Sequence, residues 1–289
     1  MRILALCALI CSCGDVPMTT IGASVIDGSG GSIPAALNYP DAMQATAADC
    51  LPKALQVVAG SVSYSAFTAN VHLWVNGSKG WKMCTAGFIR DNRLITAAHC
   101  LKGATEVIIK LEYSNVHADS WEIHPEDAGE DQSVAATATD VGIISLSIET
   151  VAAYKQAALA VAAKPPAIGV VGTQRVKPGE CFAWAGYGRH LMDDGIAPDG
   201  VRRVGANLVR SGMPYKTSYY TLYSQISPDK VINDHTAMFG SGDSGAPIYN
   251  IKGEVIGVVS ATYTDGPRIN TSLFADVTNE KMRSFITKE

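Results

Sequence analysis

The sequence has no excess of positive charge and, after its tenth residue, no long hydrophobic run. Its 289 residues include 23 Lys and Arg against 27 Asp and Glu, which gives a formal net charge of −4. Nucleic-acid-binding proteins normally carry a basic excess or a basic stripe, so we expect no nucleic-acid partner. No stretch after residue 10 approaches the roughly 20 uninterrupted apolar residues of a membrane-spanning helix.

Apolar residues are nevertheless plentiful. The hydrophobic set makes up 47% of the chain and the charged set only 17%. This composition supplies enough apolar surface to offset the entropy of folding, which excludes a disordered chain. The length suits one large β-type domain, or two halves that share one chain.

The first thirteen residues resemble an export signal. A short positive start, Met1-Arg2, precedes an apolar run over residues 3–10. Such a segment is typical of a cleaved secretory signal, and the alternative is a buried N-terminal strand. Residues 10–13 also resemble a bacterial lipobox in which Cys13 would carry the lipid, although Cys11 stands where Ala, Ser or Thr is usual. We therefore expect residues 1–13 to be a signal peptide and the protein to be exported, whether secreted, periplasmic or lipid-anchored at the cell envelope.

The cysteine count is consistent with export. Seven cysteines occur, at positions 7, 11, 13, 50, 84, 100 and 181. Loss of the first two with a signal leaves five, an odd number for an exported chain. If Cys13 carries lipid, the other four could form two disulfides in an oxidising compartment. A free Cys13 in a flexible tail would satisfy the count equally well.

Beyond the signal, the chain divides into a linker and a strand-rich domain. Residues 14–56 are rich in Gly, Ser, Ala, Thr and Pro at first and show no sustained periodicity, which indicates a linker or propeptide. Short segments bounded by turn residues then predict strands. These segments are 71–75, 85–89, 106–112, 141–147, 219–226, 247–249 and 255–260. Many strands predict an all-β barrel or sandwich.

Three local signals add detail to this prediction. Asn76-Gly77 indicates a hairpin. The Ala-rich segment 152–163 predicts a helix that ends before Pro165-Pro166, and residues 279–287 predict a terminal helix capped by Asn279.

Three polar residues in separate short motifs could together support nucleophilic catalysis. Ser244 lies in Gly242-Asp243-Ser244-Gly245, a turn before a strand. His99 follows a strand in a turn of small residues, and Asp140 stands at the start of another apolar strand. A serine nucleophile needs a base to take its proton and an acid to orient that base. A lipase or esterase would place these residues in the order Ser, Asp, His, which this chain does not.

At these motifs the sequence resembles the trypsin/chymotrypsin family of serine endopeptidases, peptidase family S1, in its exported bacterial form. The family's T-A-A-H-C occurs intact at 96–100, its D-I-A-L-L corresponds to 140–144, and its G-D-S-G-G-P to 242–247. Weaker matches at 121–125, 181–188, 257–260 and 273–277 extend the resemblance over residues 57–289. The resemblance implies two packed six-stranded antiparallel β-barrels with a C-terminal helix, and an active site in the cleft between them.

The resemblance also implies a role for each matched residue. Ser244 would attack the scissile carbonyl, His99 would accept and return the proton, and Asp140 would orient His99. Ser260 would help to orient Asp140. The backbone N–H groups of Gly242 and Ser244 would form the oxyanion hole.

The cysteines match the family in part. Cys84 and Cys100 correspond to the disulfide that braces the histidine loop. Cys181 lacks its usual partner, because Asn250 stands at that position. We expect Cys50 to pair with Cys181 and so retain the propeptide after cleavage. The alternative is two unpaired thiols.

The resemblance further implies activation by proteolysis. Val57 begins a segment that resembles the mature N-terminus of the family, and its freed ammonium would pair with buried Asp243. The preceding residue is Gln56, where Arg or Lys is usual. Either another protease activates the chain, or activation differs.

The expected specificity pocket lacks an acidic residue at its base. Met238 stands near the position where trypsin-like members carry a carboxylate, although Asp234 is only four residues away. Without that charge a Lys or Arg preference is not expected. Thr262 and Ser272 stand near positions where glycines keep the pocket open. We expect a preference for small or medium apolar side chains.

The remaining expectations concern partners. No histidine or cysteine cluster has zinc-ligand spacing, so we expect no metal and no cofactor. The expected partners are protein or peptide substrates and an activating protease, and the expected state is a monomer with membrane contact only through a lipid at Cys13. The alternative function is a catalytically silent, protease-like binding protein.

Overall fold

Fifteen strands form two sheets in the part of the chain that the structure describes. The computed structural model describes residues 68–127, 134–188, 202–216, 218–225, 239–265 and 268–288. Predictions about Cys13, Cys50, Val57 and Met238 lie outside these residues. No helix among the described residues is long and apolar enough to cross a membrane.

The first sheet has seven strands in the order β5-β4-β1-β2-β3-β7-β6. The strands are β1 (Asn70–Gly77), β2 (Gly80–Arg90), β3 (Arg93–Thr96), β4 (Ala104–Lys110), β5 (Asn115–His117), β6 (Ser120–Ile123) and β7 (Gly142–Ser145). Every neighbouring pair is antiparallel. A short helix, α1 (Ala98–Leu101), follows β3, and a 3-10 helix (Val134–Thr139) precedes β7.

The second sheet has eight strands, of which seven follow the order β10-β9-β13-β14-β15-β12-β11. They are β8 (Val170–Val171), β9 (Cys181–Gly186), β10 (Arg203–Leu208), β11 (Ser211–Tyr215), β12 (Tyr219–Gln225), β13 (Pro247–Tyr249), β14 (Glu254–Asp265) and β15 (Arg268–Asp276). Strand β8 pairs with β14 in parallel. Helix α2 (Ile148–Ala160) connects the two sheets along the chain, and α3 (Glu280–Thr287) closes the domain.

The predicted fold class is confirmed, with a correction to the number of strands. The family resemblance implied six strands in each barrel, whereas the described sheets hold seven and eight. The difference arises because very short segments also pair, such as the three residues of β5 and the two of β8.

Local sequence signals explain where several elements begin and end. The Asn279 side chain accepts a hydrogen bond of 2.9 Å from the Met282 N–H and caps α3 as predicted. Ser147 caps α2 in the same way, so that helix begins four residues before its predicted start. Asn76-Gly77 belongs to the predicted hairpin, but Gly77 pairs with Gly80 and the turn falls on residues 78–79.

Two hydrophobic clusters fix the sheets that carry the functional residues. The first lies mainly under the seven-stranded sheet and includes Leu73, Leu94, Ile109 and Ile143. The second is aromatic and joins Phe182, Trp184, Phe239 and Phe274 within the eight-stranded sheet. Burial of one such large apolar side chain stabilises the fold by about 2 kcal/mol.

Candidate active site

Adjacent strands of the first sheet bring His99 and Asp140 together. Strand β3 leads into α1, which carries His99, and Asp140 lies two residues before β7. Thr96 pairs with Gly142 across these strands, so their ends meet. The His99 Nδ1 atom lies 2.7 Å from Asp140 Oδ2, and the His99 backbone N–H donates to Asp140 Oδ1 over 2.8 Å. These two bonds fix both the ring and the backbone of His99 on the carboxylate.

Ser260 of β14 completes the support of this carboxylate from the second sheet. Its Oγ donates a 2.6 Å hydrogen bond to Asp140 Oδ2. Burial raises the pKa of Asp140, but the charge of His99 and the hydrogen bonds from His99 and Ser260 bring that pKa below its usual value. Asp140 therefore remains ionised at neutral pH.

The His99 side chain is 46% exposed and can meet a substrate. Burial of the ring lowers the pKa of His99, but the charge of Asp140 and the hydrogen bond to it raise that pKa above its usual value. Asp140 thus strengthens His99 as a proton acceptor.

Hydrogen bonds to the first sheet fix the turn that carries Ser244. The Thr85 N–H donates to the Ser244 carbonyl oxygen over 2.8 Å, and Thr85 Oγ1 donates to the Gly242 carbonyl oxygen over 2.9 Å. Gly245 has a φ of +86°, and a Cβ there would lie 2.1 Å from Thr96 Oγ1. Only glycine can therefore occupy this position without moving the turn.

The Cys84–Cys100 disulfide lies between the histidine and the serine turn. Cys100 Sγ is 3.8 Å from His99 Nε2 and 3.7 Å from the Ser244 carbonyl oxygen. Cys84, Cys100 and His99 have closely grouped donor atoms. Both sulfurs are bonded to each other, so this group does not offer the thiolates of a metal site.

Ser244 is partly buried in the turn before β13, and Cys100 Sγ lies close to both the Ser244 carbonyl oxygen and His99 Nε2. In the described part of the chain no hydrogen bond joins Ser244 Oγ to His99 Nε2. Such contacts are often long in an enzyme without substrate and shorten in the reacting complex. Asp140 is bonded to the Nδ1 side of the His99 ring and stabilises its charged form, which leaves Nε2 as the proton-accepting atom of the ring.

Two backbone N–H groups of the serine turn are available to a ligand. Among the described residues, neither the Gly242 N–H nor the Ser244 N–H donates to another backbone or side-chain acceptor. Gly242 has a φ of +102°, which a side chain rarely tolerates. Paired N–H groups of this kind can stabilise a developing oxyanion.

The Asp243 carboxylate is held inside the second sheet by backbone donors. The N–H groups of Gly188 and Gly240 each donate to it over 2.8 Å. A Cβ at Gly186 or Gly188 would lie within 2.5 Å of Asp243 Oδ1, so both glycines make room for the carboxylate. Burial raises the pKa of Asp243 to about 6, despite these N–H donors.

The structure brings together two of the three residues expected in the specificity pocket. Thr262 and Ser272 are directly paired across β14 and β15, and Ser272 is fully buried. Sequence reasoning missed Phe239, whose N–H donates to Ser272 Oγ over 3.1 Å and whose ring packs edge-on against Trp184. Only its position next to Met238 could have indicated a role.

Cys181 is disulfide-bonded. Its expected partner, Cys50, lies outside the described residues. The pairing Cys84–Cys100, which the family resemblance implied, is present.

With this geometry established, sequence comparison identifies the class of protein. The chain belongs to the Trypsin family of serine endopeptidases, whose pattern matches residues 57–283. HhoB of Synechocystis sp., which carries a serine-protease assignment, is 26% identical over 207 residues. The match covers 70% of this chain and 40% of that protein, so this chain spans less than half the length of that relative.

Solved structures share the fold at low identity. The Rv3671c protease of M. tuberculosis in its active form matches with a TM-score of 0.55 and 16% identity, over 81% of this chain and 86% of that one. The thermostable serine protease AL20 from an extremophilic microorganism matches with a TM-score of 0.53 and 12% identity, over 73% of this chain and 92% of that one. These likenesses support the fold alone.

Proposed function

We propose that the chain is an active serine endopeptidase with His99, Asp140 and Ser244 as its catalytic residues. One observation carries this proposal. Ser260, Asp140 and His99 form a continuous chain of hydrogen bonds, and Cys100 Sγ lies 3.8 Å from His99 Nε2 at its end and 3.7 Å from the Ser244 carbonyl oxygen. The alternative function is a silent, protease-like binding protein, but such proteins usually lose Ser, His or Asp, and this chain retains all three.

The reaction would proceed through an acyl-enzyme. Ser244 Oγ bonds to the carbonyl carbon of the scissile peptide while its proton moves to His99 Nε2, and the Gly242 and Ser244 N–H groups stabilise the oxyanion. The C–N bond then breaks, and His99 returns the proton to the leaving amine. Water, deprotonated by His99, releases the acid product. Each oxyanion donor is worth about 3 kcal/mol in such reactions.

Activation by cleavage before Val57 is the second part of the proposal. Asp243 supports it, because its carboxylate is buried and has a pKa raised to about 6 in the uncleaved chain. The charge of Arg203 acts on this carboxylate but does not offset its burial, and a freed Val57 ammonium would add a second positive charge. The bonded state of Cys181 supports a tether to Cys50 that would retain the propeptide.

We further propose a preference for small or medium apolar side chains before the scissile bond, not for Lys or Arg. Thr262 and Ser272 support this part, since both are neutral and face each other on neighbouring strands. Export through residues 1–13, with or without a lipid at Cys13, and a monomeric state are also proposed. The Cys84–Cys100 disulfide supports an oxidising compartment.

Labelling with a fluorophosphonate probe would test the proposed activity. The purified protein would be labelled before and after cleavage at Gln56–Val57, with Ser244→Ala as the control. We expect labelling only after cleavage, and none of the control. Labelling in both forms would support the proposed protease activity and overturn the proposed activation by cleavage. Absence of labelling despite a verified Val57 N-terminus would favour the binding protein.

A further inference from the structure

Two lysines beside the candidate site have no role in the proposed triad. Lys82 lies in β2, is partly buried, and donates from Nζ to the His99 carbonyl oxygen over 2.9 Å. Lys79 lies in the exposed turn between β1 and β2. A lysine held on the backbone of the candidate catalytic histidine is an unusual use of a flexible surface cation.

The Lys82 ammonium interacts electrostatically with His99 and Asp140. Burial, followed by the charge of Lys79, lowers the pKa of Lys82, whereas Asp140 raises it. Lys82 in turn opposes the effect of Asp140 on the pKa of His99. Asp127 is the other acidic group that acts on His99.

Lys82 lies on the strand that also carries Cys84, one half of the disulfide next to His99. His99 Nε2 would protonate the leaving amine, so the first residues after the scissile bond must pass close to that atom. Cys100 Sγ lies 3.8 Å from Nε2, and its bonded partner Cys84 is two residues from Lys82 on the same face of β2. Lys82 is thus linked to the surroundings of His99 in two ways, through its own bond to the His99 carbonyl and through the strand that it shares with Cys84.

Lys82 retains hydrogen-bonding capacity for a ligand. An ammonium has three donors, and the His99 carbonyl uses one of them. The nearby Asp140 carboxylate is already bonded to His99 and Ser260, and so does not neutralise the lysine directly. A peptide carboxylate would satisfy the remaining charge and hydrogen bonds.

We propose that Lys82, assisted by Lys79, forms a subsite for an Asp or Glu in the first two residues after the scissile bond. This inference rests on the proposed endopeptidase activity and adds a substrate class to it. The residues expected to line the pocket for the residue before the scissile bond, Thr262 and Ser272, lie on β14 and β15, whereas Lys82 lies on β2, so the two preferences would be separate.

Paired peptides would test the subsite. Two fluorogenic peptides would differ only in Glu or Gln at the second residue after the scissile bond, with a small apolar residue before it. For the cleaved wild-type enzyme we expect kcat/KM to be about three- to five-fold higher for the Glu peptide at low salt. That ratio should approach one in ~0.5 M NaCl, because salt screens exposed charges.

Variants would assign the preference to Lys82. Lys82→Met should bring the Glu/Gln ratio close to one, and Lys82→Arg should preserve it. Lys164→Met, which removes one exposed charge elsewhere, is the matched control and should retain the wild-type ratio. Fluorophosphonate labelling of each variant would verify that Ser244 is still reactive.

Several outcomes would overturn the inference. A wild-type Glu/Gln ratio of one at low salt, or a ratio unchanged in Lys82→Met, would overturn the proposed subsite but not the proposed endopeptidase activity. Cleavage of neither peptide by an enzyme that also fails to label overturns both proposals together. Failure of cleavage by an enzyme that labels overturns the subsite and the small-residue preference only.

Discussion

At the scale of single residues, the serine turn depends on one glycine that has no room for a side chain. Gly245 combines a positive φ with backbone and side-chain atoms of the first sheet at close range. Gly80 has an almost identical φ of +88°, but a Cβ at that position would have no other atom within 4 Å. Alanine at Gly80 would therefore introduce backbone strain alone, whereas alanine at Gly245 would introduce both backbone strain and a steric clash.

Gly245→Ala should abolish most of the proposed activity, because the new Cβ would push Ser244 away from its position against Thr85 and Thr96. We expect fluorophosphonate labelling to slow by on the order of 10²-fold, as for displacement of a reacting group by about 1 Å. Gly80→Ala should cost about 1–2 kcal/mol in stability from strain alone and leave labelling unchanged. Equal labelling rates in the two variants would contradict this account.

Several residues of the site could be predicted from local motifs, but their contacts could not. His99, Asp140 and Ser244 stand in short strings that resemble a known family. Thr85, in contrast, contacts a turn that lies 157 residues further along the chain. No local pattern encodes such a contact, because it exists only after both sheets have formed.

At the scale of elements, the predictions succeeded where the signal lies within a few neighbouring residues and failed where it depends on a cap outside the pattern or on a distant strand. Helix α3 was predicted correctly because its cap and its apolar spacing lie within nine residues. Helix α2 begins earlier than predicted, since Ser147 supplies a cap that the Ala-rich pattern does not reveal. The segment of β9 was identified as a family motif but was not predicted to be a strand. Its pairing with β13 joins segments more than sixty residues apart, which a local pattern does not reveal.

Asn279→Ala tests the contribution of a cap to the closing helix. Loss of the bond from the Met282 N–H should lower the free energy of unfolding by about 1 kcal/mol. Urea unfolding would measure this change, and Asn279→Asp, which keeps an acceptor, should recover most of it. The labelling rate should not change, since the hydrogen bonds of Asn279 within the described residues join it to Asp276, Met282 and Arg283 and not to the candidate catalytic residues. Equal destabilisation by both substitutions would contradict a capping role.

At the scale of the whole molecule, protonation of two buried groups changes the stability of the fold in opposite directions as pH falls. His72 stacks on Tyr187, and burial, with a contribution from Lys110, lowers its pKa from 6.5 to about 4. As pH falls from 6.5 to 4, the unfolded chain takes up this proton first, and stability is lost. Burial raises the pKa of Asp243 from 3.8 to about 6, so the folded chain takes up that proton first and stability is gained.

These opposed effects predict that cleavage changes the acid response of the protein. In the uncleaved chain they should largely cancel between pH 6 and 4. After cleavage, the Val57 ammonium would keep Asp243 ionised, and the gain would disappear. Between pH 7 and pH 4.5, the free energy of unfolding should fall by about 2 kcal/mol more for cleaved Ser244→Ala protein than for uncleaved Ser244→Ala protein. Urea unfolding at both pH values would measure it, and identical pH responses would contradict the Asp243 pairing.

The bond from the Thr85 N–H to the Ser244 carbonyl has a consequence for partly opened molecules. It joins the turn that carries the proposed nucleophile, Ser244, to strand β2 of the first sheet. If the sheets separate, Ser244 leaves the vicinity of His99 while much of each sheet can remain intact. Partial opening should therefore lower the proposed activity before the chain unfolds.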